Sequence, residues 1–316
     1  MTDPHAIATR PQDVTTPLTR AAAFLVLTVN DGEDAMSTAR SVVASTADLI
    51  KDVRLRSLQS EFSVNVGIGS RVWDSLTGQP KPKELKPFQV IEGHEHTAVA
   101  TSGDLLFHIR ADGNDMVFEF EKLLLEAFGD AVTAVDDVSG FRYFDARDLL
   151  EFVDGTANPY GLDALPSTLV GDEDEKYAGG SYVVIQKYLH KIKDWRSQST
   201  ETQQDIIGRT KFDNIELPDA EGDAQKSHKT LCTITDDDGE HDIVRDNMPF
   251  ATPGRNEYGT YFIGYSRHLW VVEQMLERMF IGDPPGKHDR ILDYSTPVTG
   301  CTFFAPNRQF LDDLDG

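Results

Sequence analysis

The sequence has 316 residues, and its 53 acidic side chains outnumber the 30 basic ones to give a formal net charge of -23 at pH 7. This charge repels phosphate backbones and anionic lipid surfaces, so we expect neither nucleic acid nor a membrane as a partner. The N-terminus lacks the apolar core of a signal peptide, and the two cysteines, Cys232 and Cys301, form no metal-binding spacing. We therefore predict a soluble cytoplasmic protein that is kept in a reducing compartment.

Strand-like and helix-like segments alternate in the first half of the chain. A short apolar run over residues 21–29 predicts a buried strand, and residues 35–56 carry apolar side chains at helical spacing. A strand over residues 104–110, a helix over residues 115–128 and a strand over residues 140–144 follow.

The same order of elements recurs in the second half. We predict a strand over residues 180–186, a helix that starts at Leu189, a strand over residues 259–265, a helix after it, and a strand over residues 298–304. Corresponding positions are offset by about 155–160 residues, which favours two copies of one unit. We therefore predict an α+β fold of two tandem ferredoxin-like units with antiparallel sheets and peripheral helices. The expected boundaries are an N-terminal arm over residues 1–18 and units over residues 19–150 and 151–316.

Two long acidic loops, residues 145–179 and 213–226, are the places where we expect a site, because long loops in compact domains are often functional. Two local motifs have simpler explanations. His94 and His96 could chelate a metal, but no third ligand is nearby in the sequence, so surface or structural histidines are favoured. Residues 236–240 are similar to a calcium loop, but Asn247 stands at the twelfth position instead of glutamate. They lie between two strand-like runs, residues 230–235 and 241–244, which favours an acidic hairpin turn.

Residues suited to catalysis occur in segments 151–159, 227–229 and 244–250, although each has a plain structural explanation when it is taken alone. At these residues the sequence resembles the dye-decolourising peroxidases, and closely their B-type branch. Residues 152–159 read FVDGTANP and match the family's GxxDG motif with its T-x-N-P continuation, except that Glu151 replaces the first glycine. The resemblance runs from about Leu18 to the end and includes segments 207–211, 227–228, 245–250, 259–265, 289–294 and 298–300.

The resemblance implies the two-unit fold of the dimeric α+β barrel-like superfamily, with one haem b per chain held mainly by the second unit. His228 would be the axial ligand of the haem iron. Asp289 is our choice for the carboxylate that accepts the other N–H of this imidazole and strengthens it as a donor, with Asp293 and Glu240 as weaker candidates.

The resemblance also assigns the residues that surround the haem. Asp154 and Arg245 would activate peroxide, as a base and as a fixed positive charge, and Asn247 would order the peroxide or a water. The haem edge would lie against Gly155 and Thr156, and Arg209 would bind a propionate unless it forms a surface ion pair instead.

The implied activity is a haem b peroxidase that reduces hydrogen peroxide to water through a ferryl intermediate while it oxidises organic dyes, phenols or metal ions. Two alternatives stay open: a haem-binding or iron-releasing protein without peroxidase turnover, and a haem-free ferredoxin-like binding module. We expect a homo-oligomer, a dimer or larger. We do not expect packaging into an encapsulin shell, because the sequence stops soon after the last strand of the family. The acidic surface predicts a preference for cationic reductants or Mn²⁺ over anionic dyes.

Overall fold

The structure is a computed structural model that describes residues 10–237 and 239–315. Its first half forms the elements β1 (Ala21–Val29), α1 (Glu33–Ala44), α2 (Thr46–Arg54), β2 (Phe62–Gly69), α3 (Trp73–Thr77), β3 (Ile91–Glu92), β4 (Thr97–Ala98), β5 (Leu105–Ala111), α4 (Asn114–Phe128) and β6 (Val132–Phe141). The four long strands pair antiparallel in the order β6-β1-β5-β2. Numbered along the unit this order is 4-1-3-2, which is the ferredoxin-like arrangement.

The second half repeats this arrangement. Its elements are α5 (Ala164–Thr168), β7 (Ser181–His190), α6 (Ile192–Arg196), α7 (Thr200–Ile207), α8 (His228–Cys232), β8 (Ile234–Asp236), β9 (Gly239–His241), β10 (Val244–Arg245), β11 (Met248–Thr252), β12 (Glu257–Ser266), α9 (Leu269–Phe280), β13 (Ser295–Pro297), β14 (Cys301–Ala305) and α10 (Arg308–Asp312). Strand β14 pairs with β7, β7 pairs with β12, and both β10 and β11 pair with β12. The predicted α+β fold of two tandem ferredoxin-like units is confirmed.

The two units share one sheet, because β14 of the second unit pairs antiparallel with β2 of the first, where Phe303 lies opposite Gly69. Gly67 makes this approach possible, since a Cβ at that position would lie 2.9 Å from the Cβ of Phe303. One face of the sheet packs against the helices of both units, and the opposite faces of the two units pack on each other through a buried cluster that includes Phe24, Leu106, Tyr261 and Tyr265. Among the described residues, no helix is long and apolar enough to cross a membrane.

The predicted elements differ from the structure in their limits. The single helix expected over residues 35–56 is two helices, because the hydroxyls of Ser45 and Thr46 both bond to the carbonyl oxygen of Val42 and compete with the helical pattern. The last strand of the first unit begins at Val132, ahead of the expected residues 140–144. Strand β2 was not predicted, although its sequence FSVNVGIG alternates apolar residues with small or polar ones. Asn65, Gly67 and Gly69 have low β-propensity, and both faces of the strand are buried.

Two further predictions fail in the second unit. No helix starts at Leu189, because β7 continues to His190, whose ring bonds to Ser295 and Thr260 on the two neighbouring strands. The expected strand-like run over residues 230–235 is helical at first, because Ser227 caps helix α8. The acidic hairpin is confirmed, since Ile234–Asp236 pairs with Gly239–His241.

Candidate active site

A large cavity opens in the second half of the chain, and all its lining residues lie between Asp148 and Ser295. Its empty space, counted out to the open mouth, is about 1460 Å³. The structure brings seven of the eight predicted site residues to this cavity wall: Asp154, Gly155, Thr156, Arg209, His228, Arg245 and Asn247. The eighth, Asp289, is completely buried directly behind His228.

His228 is the first residue of α8, and its ring is held from behind by Asp289. The Nδ1 atom of His228 lies 2.6 Å from Oδ2 of Asp289, whose other oxygen accepts the backbone N–H of Ile291 at 3.1 Å. A carboxylate in this position favours the tautomer that carries its hydrogen on Nδ1 and leaves the Nε2 lone pair free. The two weaker candidates are placed otherwise: Asp293 bonds to His96 and His288, and Glu240 lies in the cavity wall.

Cys232 is a neighbour of His228 that the sequence analysis did not single out. One helical turn separates the two residues, and the Cys232 sulfur lies 3.6 Å from Nδ1 and 3.9 Å from Nε2. Burial lowers the pKa of His228, but the charges of Cys232 and Asp289 and their hydrogen bonds outweigh burial, so the pKa lies well above its usual value. The pocket around the imidazole is therefore electron-rich, which strengthens Nε2 as a metal donor.

Asp154 is fixed by hydrogen bonds from two directions. Its Oδ1 accepts the N–H of Gly155 at 2.7 Å, and its Oδ2 accepts a hydrogen from Nδ2 of Asn247 at 3.0 Å. The carbonyl oxygen of the Asn247 side chain in turn accepts the N–H of Ile263 on β12, at 3.1 Å. Gly155 adopts a left-handed conformation with φ of 77°, which glycine reaches at little cost. Asn247 thus orients the Asp154 carboxylate.

Arg245 is anchored through its backbone, and its side chain lies at the cavity wall. Asn158 holds the main chain on both sides, since its Oδ1 accepts the N–H of Arg245 at 3.0 Å and its Nδ2 donates to the carbonyl oxygen at 2.6 Å. The buried Nε of Arg245 has no hydrogen-bond partner in the described part of the chain. A buried guanidinium donor without a partner at a cavity wall is suited to bind an anionic or strongly polar group there.

A buried ion pair holds the segment that carries Arg245 and Asn247. Asp246 lies between Arg245 and Asn247 in the sequence and pairs with Arg110 of the first unit, with 2.7 Å between NH1 and Oδ2. Both side chains of the pair are almost completely buried. Removal of one partner from such a pair leaves an uncompensated charge. The ion pair therefore fixes the segment that carries Arg245 and Asn247 against the other unit.

Arg209 reaches the cavity but has partners of its own. Its NH2 donates to Oε2 of Glu216 at 2.9 Å, and its NH1 donates to the carbonyl oxygen of Asn214 at 3.2 Å. The same Asn214 donates from Nδ2 to the hydroxyl of Thr156 at 2.9 Å. Arg209 therefore forms the ion pair that was one of its two predicted roles, with the half-exposed Glu216. It also faces the cavity, as the other predicted role, binding of a propionate, requires.

Asp148 is a cavity residue that the sequence analysis placed only within an acidic loop. Burial and the nearby charge of Asp154 raise the pKa of Asp148 to about 7, against hydrogen bonds from the Phe152 and Leu150 backbones and the charge of His228. Its Oδ1 accepts the N–H of Phe152 at 3.0 Å. In the sequence Asp148 is marked only by its position six residues before Asp154. That spacing does not predict that the two carboxyl groups line the same cavity.

The residues present fit the haem that the resemblance implies. Nε2 of His228 is an available nitrogen donor, the wall is largely apolar, with residues such as Ile243, Phe262 and Leu276, and the buried Nε of Arg245 lacks a partner until something occupies the cavity. Apolar walls with a few fixed polar groups are typical of cofactor sites. A histidine-ligated haem protein is the class that this fold and cavity define.

Comparisons with known proteins agree with this class. Family models for the Dyp-type peroxidase N-terminal and C-terminal regions match residues 11–142 and 145–310. A dye-decolorizing peroxidase of Mycolicibacterium paratuberculosis is 53% identical over 98% of this chain and 87% of that protein. The solved structure of DyPB from Rhodococcus jostii RHA1 is 50% identical, covers 96% of this chain and 97% of that one, and superposes with a TM-score of 0.93.

Other solved structures give the same result. An encapsulated DyP-type peroxidase from Mycobacterium smegmatis is 50% identical, covers 97% of this chain and 98% of that one, and has a TM-score of 0.93. Variants of the Rhodococcus protein are described as complexes with heme, and one as a complex with manganese. This chain belongs to the dye-decolorizing peroxidase family, and it is a peroxidase.

Proposed function

We propose that this chain binds one haem b in the cavity through His228 and reduces hydrogen peroxide to water while it oxidises organic dyes, phenols or metal ions. One observation carries the proposal: three groups lie at the wall of one cavity. They are the His228 imidazole, which bonds to Asp289, the hydrogen-bonded pair of Asp154 and Asn247, and Arg245, whose buried Nε has no partner in the described part of the chain. The bound haem supplies an iron atom at which the O–O bond is cleaved with electrons that come from the reductant.

The side chains of the cavity handle the protons and the charge of this reaction. Asp154 takes the proton from one oxygen of peroxide and delivers it to the other, which leaves as water. Arg245 stabilises the negative charge that grows on the leaving oxygen and cannot act as the base, because it stays protonated. Asn247 holds the Asp154 carboxylate in position for both transfers. Arg209, Gly155 and Thr156 are proposed to contact the edge and propionates of the haem.

A mixing experiment tests this function against its two alternatives. The absorption spectrum of the purified, haem-loaded protein is recorded before and after one equivalent of hydrogen peroxide, and then with a reductant. Rapid conversion of the Soret band and turnover of the reductant support the peroxidase. Slow bleaching without turnover would indicate a haem-binding or iron-releasing protein, and failure to take up haem would indicate a binding module.

Asp289→Asn is expected to raise the reduction potential of the bound iron. The carboxylate accepts a charge-assisted hydrogen bond from His228 and makes the imidazole a stronger donor, which stabilises the more oxidised iron; a neutral amide does this less well. A spectroelectrochemical titration of the variant measures the shift. Asp283→Asn is the matched control, because Asp283 pairs with Lys226 on the surface, and its potential should equal that of the unmodified protein. An unchanged potential in Asp289→Asn would remove this carboxylate from the proposal.

Cationic reductants are expected to be oxidised more efficiently than anionic ones at low ionic strength, because the chain carries a net charge of -23. The ratio of kcat/KM for a cationic dye to that for an anionic dye should fall about 10-fold between ~0.01 M and ~0.15 M salt, over which the screening length drops from about 30 Å to about 8 Å. Steady-state kinetics with a pair of dyes of similar potential measures this ratio. A preference for the anionic dye at low salt would contradict it.

The remaining features of the proposal concern organisation and location. We propose a division into an arm over residues 1–18 and units over residues 19–150 and 151–316, of which residues 1–9 lie outside the described part of the chain. A cytoplasmic location and a homo-oligomer stay predictions, and sedimentation of the purified protein tests the second. The expectation that the chain is not packaged into an encapsulin shell also stays a prediction, which co-expression with a shell protein tests directly.

A further inference from the structure

A second cluster of metal-binding side chains lies outside the cavity, at the contact between the two units. Nε2 of His96 and Nε2 of His288 each lie 3.0 Å from the same oxygen, Oδ1 of Asp293. The two imidazole rings meet edge to face, with centroids 4.8 Å apart. A carboxylate oxygen of Glu95 completes the group, and all four potential ligand atoms lie within 4.8 Å of one another.

The structure supplies the further ligands that are missing from the sequence around His96. A structural role was expected for His96 because no third ligand is nearby in the sequence, yet His288 and Asp293 join it from almost 200 positions further along the chain. His94, the other half of the sequence motif, is exposed and does not belong to the cluster. The histidine that accompanies His96 in this cluster is therefore the distant His288, and the nearby His94 takes no part in it.

The spacing of these atoms suits a metal ion. With metal–ligand bonds of about 2.1 Å, two ligand atoms of a tetrahedral ion lie about 3.4 Å apart, so each imidazole nitrogen, which lies 3.0 Å from the carboxylate oxygen, needs to move by only about 0.4 Å. Lys191 bonds to the backbone oxygen of Asp293 and does not engage its carboxylate.

Part of the cluster is held in place before any ion arrives. Glu95 and His96 lie in a tight turn in which the N–H of Gly93 donates to the carbonyl oxygen of His96 at 3.0 Å. An added Cβ at Gly93 would lie 2.0 Å from the carbonyl oxygen of Phe280 at the end of α9. On the other side, Asp293 ends the short 3₁₀ turn Arg290–Asp293. Preformed ligands cost little entropy when the ion binds.

We propose that Glu95, His96, His288 and Asp293 form a binding site for one divalent transition-metal ion of the zinc class. Two imidazoles and two carboxylates select such an ion over Mg²⁺ or Ca²⁺, which prefer oxygen ligands alone. None of the four residues lines the haem cavity. Because His288 directly precedes Asp289, the ion fastens the first unit to the turn that carries the carboxylate behind His228.

Zinc titration of the haem-loaded protein tests the proposal. Loading with haem is needed because His228, Cys232 and Asp289 form a second metal-capable group when the cavity is free. Chelator-treated holoprotein is titrated with Zn²⁺ by isothermal titration calorimetry, and its melting temperature is measured with and without Zn²⁺. We expect one ion per chain and a rise in melting temperature, since an ion that binds only the folded state stabilises it.

Four variants assign the ligands. His96→Ala and His288→Ala should each weaken Zn²⁺ affinity by at least about 10-fold, and His94→Ala, the matched control, should not change it. Asp293→Asn keeps the size of the side chain and guards against a folding defect; with an unchanged Soret band it should also bind Zn²⁺ more weakly. No Zn²⁺ binding, equal binding by His96→Ala, loss of binding in His94→Ala, or displacement of Zn²⁺ by equimolar Mg²⁺ would each overturn the proposal.

Discussion

Replacement of His228 by alanine is expected to lower the rate of reaction with hydrogen peroxide by at least about 100-fold. Loss of a residue that merely supports a metal ligand costs 10–100-fold in many proteins, so loss of the ligand itself should cost more. Among the other histidines of the described cavity wall, His190 bonds through both ring nitrogens, and His241 faces Asp236, with 2.8 Å between Nε2 and Oδ2. Burial also lowers the pKa of His190 to about 4. Stopped-flow absorbance of the haem-reconstituted variant measures the rate.

Two controls make this result specific. Added imidazole should restore part of the rate, because it can occupy the space that the side chain leaves and donate the same nitrogen. His268→Ala removes a histidine that bonds to Glu84 and does not line the cavity, and it should react at the unmodified rate. A His228→Ala protein with an unchanged Soret band and rate would show that another residue holds the iron.

Arg245→Leu is expected to slow the reaction with peroxide more than Asp154→Ala does. Loss of a fixed charge that stabilises a developing anion costs about 10²–10³-fold in rate. Among the described residues of the cavity wall, the other arginine and lysine already have partners, since Arg209 pairs with Glu216, and Lys229 pairs with Glu216 and Asp219. Asp148 or a water can accept a proton in place of Asp154, so we expect that variant to lose no more than about 100-fold.

The comparison uses second-order rate constants from stopped-flow mixing at several peroxide concentrations. Arg56→Leu is the matched control, because Arg56 is exposed and its side chain makes, within the described part of the chain, a single 3.7 Å ion pair with Glu119. Its rate should not change. The reverse order of the two site variants, with Asp154→Ala slower than Arg245→Leu, would assign the larger part of peroxide activation to the base.

The fold could be predicted largely from local pattern, and the failures have definite causes. Strand β1 has the predicted limits because eight of its nine residues are apolar and a turn sequence follows them at once. Strand β2 was missed although apolar residues alternate with small or polar ones along it, because Asn65, Gly67 and Gly69 are poor strand formers. The small residues are explained only by the neighbours in the sheet, since β5 and β14 pair with β2 on its two edges and Gly67 lies close to Phe303.

The candidate site also contains some residues that the sequence predicts and others that it does not. Asp154, His228 and Arg245 stand in short motifs that carry the resemblance, and the structure places all three at one cavity. Partners that come from distant segments could not be predicted by spacing. Asp148 acquires its raised pKa only through burial beside Asp154. His288 meets His96 across 192 positions, because the fold brings the β3–β4 hairpin against the turn after α9.

The pairing of β14 with both β7 and β2 has a consequence for biosynthesis. During translation the edges of these two strands, one in each unit, stay without their final neighbour until residue 305 has left the ribosome. Unpaired strand edges are templates for association with other chains. The nascent chain therefore depends on its last strand to close both exposed edges at once, and a ribosome that stalls before this strand would release a product with two aggregation-prone edges.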